Sequence, residues 1–331
     1  MSLKVAVLGA TGHTGRFVVA ELQRRGLTPI PIARDRGKLA ALAQSFGLTA
    51  FRTADFAEAA SLDAAVADTA AIINCAGPFF DTAVPAIAAA LRAKIPYLDV
   101  TAEQITALTS FHRYHHAAVE AGIAILPAIA FYGGLADLMA TAAMGDWQDA
   151  ERISVAIALD SWHPTEGTRR TGARNTAQRY VLTDGRLDIL DPSMPHVFWH
   201  FAEPFGKQEM AHVPLSEVIT ISRHLPVHEI VSLMNLVPLK DLRDPGTPPP
   251  APADSRGRSD QRFAVEVKAE RRGEARQVSL TGQDIYAFSA ELVAEAASWL
   301  CDGRIRQTGA LAAGMAVNPN QFLDAVCDRS S

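Results

Sequence analysis

Through the first third of the chain, apolar residues come in short continuous runs, and between the runs they recur at helical spacing. Residues 4–8 (Lys-Val-Ala-Val-Leu) form a β-rich run ending in glycine, and Phe17, Val18 and Leu22 then keep a helical period up to Gly26. The pattern predicts a second strand over 29–33, a helix over 38–46 closed by Gly47, and a third strand over 50–53. It predicts a fourth strand over 71–74 covered by the alanine-rich helix 84–93, a fifth over 96–100, a long helix over 103–121, and a sixth strand over 123–126. Strands alternating with helices of this length imply parallel pairing through right-handed crossovers, hence a doubly wound α/β sheet of Rossmann type. The near-continuous apolar character of the strands fits burial on both faces.

Beyond this point the pattern changes. A connecting helix is expected over 134–147 and a β-rich run over 152–159, followed by a polar stretch over 161–174 in which Gly167-Thr168-Arg169-Arg170-Thr171-Gly172 reads as a flexible anion-binding loop. A strand over 179–182 ends at the turn signal Thr183-Asp184-Gly185; residues 217–222 read as strand and 228–234 as helix. Five prolines between 244 and 259 mark a surface loop. Alternation over 263–268 and 276–280 about Arg272-Gly273 marks a hairpin, and helices are expected over 286–300 and 321–326. The expected organisation is a Rossmann domain over 1–147, completed by C-terminal helices within 284–331, and a second α+β domain over 148–283 built on a mixed or antiparallel sheet.

Composition adds little beyond exclusions. With 48% hydrophobic and 20% charged residues, and a net charge of −5 without charged blocks, the chain has no basic footprint for nucleic acid and no polybasic arm for a membrane. No apolar stretch is long enough to span a bilayer, and the first strand begins too early to leave room for a secretory leader. The three cysteines, Cys75, Cys301 and Cys327, form no C-x-x-C pair and read as reduced thiols of a cytoplasmic protein. The expected partners are a small-molecule substrate and a second copy of the chain, paired through the second-domain sheet.

The chemistry begins at Gly9-Ala10-Thr11-Gly12-His13-Thr14-Gly15, which follows the first strand and opens the first helix. In that context Gly9 permits a tight turn, Gly12 lets the backbone approach a pyrophosphate, and Gly15 allows close helix–strand packing. The free N–H groups and the positive helix end then face phosphate, with Thr11 and Thr14 as added hydroxyl donors. At the end of the second strand, where an NAD site places an acidic residue, stands Arg34, with Arg36 and Lys38 close behind. A planar guanidinium suits a 2′-phosphate, so the expected cofactor is NADP(H); Asp35 would compete if the strand ended one residue later. The small loop Asn74-Cys75-Ala76-Gly77-Pro78-Phe79 suits a backbone pressed against a ribose, and Asp55 could reach an adenine amino group or cap the following helix.

Gly9–Gly15, Asn74–Phe79 and Tyr97-Leu-Asp-Val-Thr-Ala-Glu103 together resemble the saccharopine dehydrogenase-like NADP-binding oxidoreductases, and residues 282–326 resemble that family's closing segment. The resemblance implies a Rossmann domain holding NADP(H) and a second domain that closes over substrate. It implies cofactor contacts at Gly9, Thr11, Gly12, Thr14, Gly15, Arg34, Ala76, Gly77 and Thr101. Members of the family reduce imines formed from amino acids or polyamines, and related proteins act on lipid-linked enoyl groups. This chain departs from the family at Ala102, where a glycine is usual, and at Ala130–Gly134, which replaces a Gly-Phe-Asp segment. The departures point away from the substrate pocket of saccharopine reductase itself.

Hydride transfer usually needs a proton donor beside the electrophilic carbon. Tyr132, in a glycine-flanked loop after the sixth strand, is the first candidate as donor or substrate contact, with a packed structural role as the alternative. Asp99, Glu103 and Asp137 are the other candidates at strand ends; Asp99 could instead orient Thr101 or a helix N-terminus. From the second domain, His163, Arg169, Arg170, Arg174, Arg223 and His224 could supply substrate contacts, with solvated surface as the alternative. None of the five tyrosines has a lysine four residues on, which excludes the short-chain dehydrogenase pair, and no G-x-S-x-G, H-E-x-x-H or P-loop lysine is present. His112, His115 and His116 lack an acidic or cysteine partner, so no metal is expected. An NADPH-dependent reductase of an imine or amino-acid-derived substrate is the leading expectation. An enoyl or carbonyl reductase, and a non-catalytic NADP(H) sensor, stay open.

Overall fold

The computed structural model describes residues 2–330; Met1 and Ser331, the outermost residues of the expected domain ranges, lie outside them. The first six strands are β1 (Lys4–Leu8), β2 (Thr28–Ala33), β3 (Arg52–Thr53), β4 (Ala71–Asn74), β5 (Tyr97–Asp99) and β6 (Ala124–Leu126). With the short strand Gly309–Ala310 they form a seven-stranded sheet in the order Gly309–Ala310, β6, β5, β4, β1, β2, β3, and every pairing is parallel. Val5 and Val7 of β1 enter one core and Ala6 and Leu8 the other, so both faces are covered by apolar side chains. The doubly wound α/β expectation is therefore met, and the chain's C-terminal part supplies the seventh strand.

The second sheet contains β7 (Ala150–Leu159), β8 (Tyr180–Thr183), β9 (Arg186–Ile189), β10 (Val197–His200), β11 (Lys207–His212), β12 (Val227–Asn235), β13 (Arg262–Arg271) and β14 (Glu274–Gln283). Its path runs β10, β11, β12, β7, β13, β14, with β8 beside β12 and β9 beside β8. All its pairings are antiparallel except β12 with β7, so the sheet is mixed. One apolar core joins the two layers, because Val7 and Ile73 of the first sheet share it with Val155 and Val265 of the second.

Four local expectations are corrected. Residues 217–222 are not a strand but part of the helix Ser216–Ser222, in which every residue from Ser216 to Ile221 is buried, so no exposed face was left to print a helical period. Residues 228–234 are not a helix but lie in β12, a central strand whose neighbours on both sides override the weak helical spacing. The polar run 167–172 is not a loop; it lies in the helix Glu166–Arg174, whose first turn is capped by the Thr165 hydroxyl accepting from Thr168 N–H at 3.1 Å. The connecting helix over 134–147 is divided into a π-helical turn, Phe131–Leu135, and the helix Ala136–Met144.

The carboxyl ends of β4, β5 and β6 are tied together by buried polar groups. Tyr97 Oη donates to Asp99 Oδ2 at 3.0 Å, and Asn74 Nδ2 donates to Tyr97 Oη at 3.2 Å. The N–H groups of Thr101 and Ala128 donate to Asp99 Oδ1 at 3.1 and 2.8 Å, which pins the segment after β6 to the end of β5. Asp99 is wholly buried, and that desolvation outweighs its hydrogen bonds, raising its pKa to about 6. An unfolded aspartate titrates near ~4, so between these values the folded chain binds more protons and stability falls as pH rises. Acidification from about pH 7 to about pH 4 should therefore stabilise the wild type against Asp99→Asn by up to about 3 kcal/mol. Denaturant melts of the two proteins across that range check this; parallel pH profiles would show that Asp99 is not held neutral by the fold.

Candidate functional site

The glycine-rich turn is set by backbone crowding. Gly9 has φ +74°, and a β-carbon there would lie 2.7 Å from Ala76 N, so no other residue lets the turns after β1 and β4 meet. A β-carbon on Gly15 would lie 2.4 Å from the Gly9 carbonyl, which fixes the helix His13–Arg24 against the turn. Gly12 is exposed, and its β-carbon position meets nothing closer than the Gly9 carbonyl at 3.2 Å. No side chain caps this helix, and no acidic residue lies in its first turn. The result is an uncapped, glycine-lined helix N-terminus of the kind that accepts phosphate. His13 adds an orphan: its Nε2 is buried without a hydrogen-bond partner. Burial also holds its pKa below the usual histidine value. Ala10 is buried under the turn, while Thr11 and Thr14 are half-exposed on it.

At the end of β2, Arg34 and Asp35 stand in different settings. The strand stops at Ala33, and Asp35 is the N-cap of the helix Arg36–Ser45, accepting from Lys38 N–H at 3.0 Å. Arg34 is exposed and has no ion-pair partner among the described residues, whereas Arg36 lies over the Phe51 ring at 5.6 Å. Asp55 caps no helix; its carboxylate accepts from Ala57 N–H at 3.0 Å in an Asx turn, and Glu58 is the cap residue that follows.

The loop after β4 is held by its own side chains. Asn74 Oδ1 accepts from Ala76 N–H at 3.0 Å, and the Thr82 hydroxyl donates to the Ala76 carbonyl at 2.5 Å. Cys75 is half-buried, and burial pushes its thiol pKa up, which leaves it inert. Pro78 caps the helix Phe79–Ala93, and the Glu103 carboxylate receives the N–H groups of Phe79 and Phe80, each at 2.8 Å. Thr101 accepts from Glu103 N–H at 3.0 Å and is buried. Glu103 and Asp99 thus have their oxygens engaged in holding loops, and the alternative of Asp99 orienting Thr101 is the arrangement found.

The second layer closes on this edge. Thr171 of the helix Glu166–Arg174 stands 3.5 Å from the β-carbon position of Gly77, and Arg174 pairs with Asp81 at 2.6 Å while lying over Phe80 at 4.9 Å. Arg169 is spent on the Thr247 carbonyl at 2.7 Å, Arg170 pairs with Glu166, and Arg223 lies over Phe111 at 5.7 Å. His224 and the buried Asp137 pair at 2.7 Å, and Asp137 also accepts from Gly314 N–H at 2.7 Å, so both serve packing. Of the helix histidines, His115 meets the Ala310 carbonyl at 3.1 Å and His116 pairs with Glu120 at 3.3 Å.

A line of rings joins the phosphate turn to Tyr132. The His13 ring meets Tyr286 edge-on, centroids 5.2 Å apart. Tyr286 Oη accepts from Trp162 Nε1 at 2.9 Å, and Trp162 lies 5.7 Å from the Tyr132 ring. Asp284, at φ +56°, fixes Tyr286 by capping its helix, accepting from Tyr286 N–H at 2.9 Å and Ala287 N–H at 3.1 Å. Tyr132 is 8% exposed, yet its hydroxyl has no hydrogen-bond partner, and burial holds its pKa well above the usual tyrosine value. Its π-helical turn needs Gly133, where a β-carbon would lie 2.5 Å from the Ala128 carbonyl. Sequence reasoning names Tyr132 and the turn but not Trp162 and Tyr286, which only the fold brings beside them.

Comparison with known proteins agrees with this geometry. Residues 5–126 match the family model for the saccharopine dehydrogenase NADP binding domain. A saccharopine dehydrogenase-like oxidoreductase of Bos taurus is 28% identical over 152 residues, 40% of this chain and 35% of that protein. A trans-acting enoyl reductase of Mycobacterium ulcerans (strain Agy99) is 28% identical over 137 residues, 39% of this chain and 32% of that protein. The chain therefore spans 35% and 32% of the lengths of these two relatives. Among solved structures, apo saccharopine dehydrogenase (L-Glu forming) from Saccharomyces cerevisiae superposes with a TM-score of 0.71 at 13% identity, covering 99% of this chain and 98% of that one. At that identity the match establishes the fold, and it extends over both layers. Residues 5–126 are thus similar to the NADP binding domain of saccharopine dehydrogenase, and the whole chain shares that enzyme's fold.

Proposed function

We propose that the chain is an NADPH-dependent reductase whose small organic substrate is reduced beside Tyr132. The observation that carries this reading is the ring line from His13 to Tyr132, ending in a buried phenolic oxygen without a partner. A buried hydroxyl left unsatisfied costs about 1–3 kcal/mol, which a ligand atom at that place would relieve. The N–H groups at the start of the helix His13–Arg24 would receive the pyrophosphate, Arg34 the 2′-phosphate, and the Ala76-Gly77 backbone would lie along a ribose. NADPH, when bound, supplies the hydride.

The protein's own groups do the rest. Tyr132 stays protonated at neutral pH, because burial disfavours its phenolate, and so holds a proton ready at Oη. The helix Glu166–Arg174, seated on Gly77 and Asp81, would keep water from the reacting carbon. Imines lead as substrates. The enoyl reductase among the relatives supports adding enoyl compounds and carbonyls to the tests. Asp99 and Glu103 are proposed to position loops rather than to donate protons.

Fluorescence titration should give NADPH binding at least roughly tenfold tighter than NADH, a gap of about 1.4 kcal/mol, and Arg34→Ala should remove most of it. Equal affinities in the wild type would contradict the 2′-phosphate reading. A panel of imines, enones and carbonyls should give NADPH oxidation, and Tyr132→Phe should slow it by roughly 10²-fold or more without weakening NADPH. Tight NADPH binding with no turnover anywhere in the panel would instead indicate a sensor.

A further inference from the structure

A phenol that no hydrogen bond holds is aimed by packing alone, and Tyr132 is such a phenol. Phe131 meets its ring edge-on, centroids 5.1 Å apart, from within the same π-helical turn. Phe131 is itself fixed, its N–H donating to Ser289 Oγ at 3.2 Å and its ring lying 4.8 Å from Phe263. The other ring on Tyr132 is Trp162, 5.7 Å away with the two planes 31° apart. Trp162 comes from the second layer, just beyond the end of β7, so its hold on Tyr132 depends on what holds Trp162.

The Trp162 backbone N–H donates to Asp241 Oδ2 at 2.7 Å, which places the main chain but leaves the ring free to turn. The ring is fixed through its indole N–H, which can only donate and does so to Tyr286 Oη at 2.9 Å. The Tyr286 hydroxyl also accepts from Thr165 N–H at 3.4 Å, which leaves its own proton for Thr168 Oγ1 at 2.9 Å. Tyr286 stands at the start of the helix Ile285–Cys301, whose cap, Asp284, is tied down by Ser259 N–H at 2.7 Å and Ser259 Oγ at 3.0 Å. On its other side the Tyr286 ring rests edge-on against His13, which Phe17 meets from within the first helix at 5.2 Å. Tyr286 thus takes its place from the phosphate turn and hands it on to Trp162.

We propose that Tyr286 is the positioning residue of this site, aiming Tyr132 Oη through the Trp162 ring; the proposal rests on the reading of Tyr132 as the proton donor. Tyr286 itself gives and takes no proton. Its hydroxyl keeps the indole in place while Tyr132 releases the proton, and its ring keeps that donor in register with the turn that receives the pyrophosphate. Misplacing a reacting group by about 1 Å can cost roughly 10²-fold in rate, so a residue that only aims another has a large effect on turnover. Loss of the Tyr286 hydroxyl would act on Trp162 alone. Thr168 Oγ1 keeps Thr165 Oγ1 at 3.0 Å, so the helix Glu166–Arg174 retains its cap, whereas the indole N–H loses its acceptor.

Tyr286→Phe removes that hydroxyl and leaves the ring against His13. In the full chain with isotope-labelled tryptophan and tyrosine, NMR should show the Trp162 indole and Tyr132 ring signals both displaced in Tyr286→Phe. The two signals are identified by their loss in Trp162→Phe and Tyr132→Phe. With a substrate found in the panel, Tyr286→Phe should lower kcat at least about tenfold. The KM for NADPH should change by less than about threefold. In a Tyr132→Phe background the same substitution should change kcat by less than about twofold, because no donor is left to aim. An equal fall of kcat in both backgrounds, a Tyr132 signal unmoved by Tyr286→Phe, or a loss of NADPH affinity as large as the loss of turnover would overturn the proposal. If Tyr286→Phe does not fold, Trp162→Phe removes the same hydrogen bond from its other end and is put through the same cycle. Silence of the wild type across the panel would strike the reductase reading instead, and the Tyr132 signal would still decide whether Tyr286 aims that ring.

Discussion

A β-carbon on Gly9 would stand 2.7 Å from the backbone nitrogen of Ala76, and much of the site depends on that missing atom. The contact lets the turns after β1 and β4 touch, at the carboxyl edge of the sheet where ligands of doubly wound folds sit. Gly15 then seats the first helix on the same turn, and the helix N-terminus is left uncapped. From there His13 reaches Tyr286, and the second layer is drawn over the edge through Trp162, Thr171 and Arg174. One backbone crowding constraint thus places both the phosphate turn and the groups that close on it.

The polar groups of this edge divide into two kinds. Asp99, Glu103, Asn74 and Asp137 are buried but satisfied, each holding one segment to another. Tyr132 Oη and His13 Nε2 are buried and unsatisfied. In a folded chain the first kind is the rule and the second the exception, so the second kind marks where chemistry is expected. Hydrogen bonding therefore moves interest from Asp99, which ends a strand, to Tyr132, in the turn after β6.

What the sequence revealed, and what it hid, follows from how local each feature is. The turn Gly9–Gly15 and the place of Arg34 are legible because each is set by a few neighbouring residues and a strand end. Tyr132 is legible through the glycines beside it, which Gly133 justifies by its contact with Ala128. The helix Ser216–Ser222 was hidden, because it is buried on all sides and its valine and isoleucines read as β-formers. β12 was hidden for the opposite reason: His228 and Glu229 interrupt its apolar run, and pairing with β7 and β11 decides its conformation. Trp162 and Tyr286 carry no local signal, since their meeting depends on the packing of one layer against the other.

The central claim is that phosphate turn, ring line and Tyr132 form one continuous site for NADPH and its substrate. A crystal structure of the chain with NADP+ tests this most directly. The account predicts the pyrophosphate on the N–H groups of residues 12–15, the 2′-phosphate against Arg34, and the nicotinamide ring on the same side of the cleft as Tyr132 and Trp162. A nicotinamide directed away from Tyr132, with the phosphate contacts intact, would contradict it.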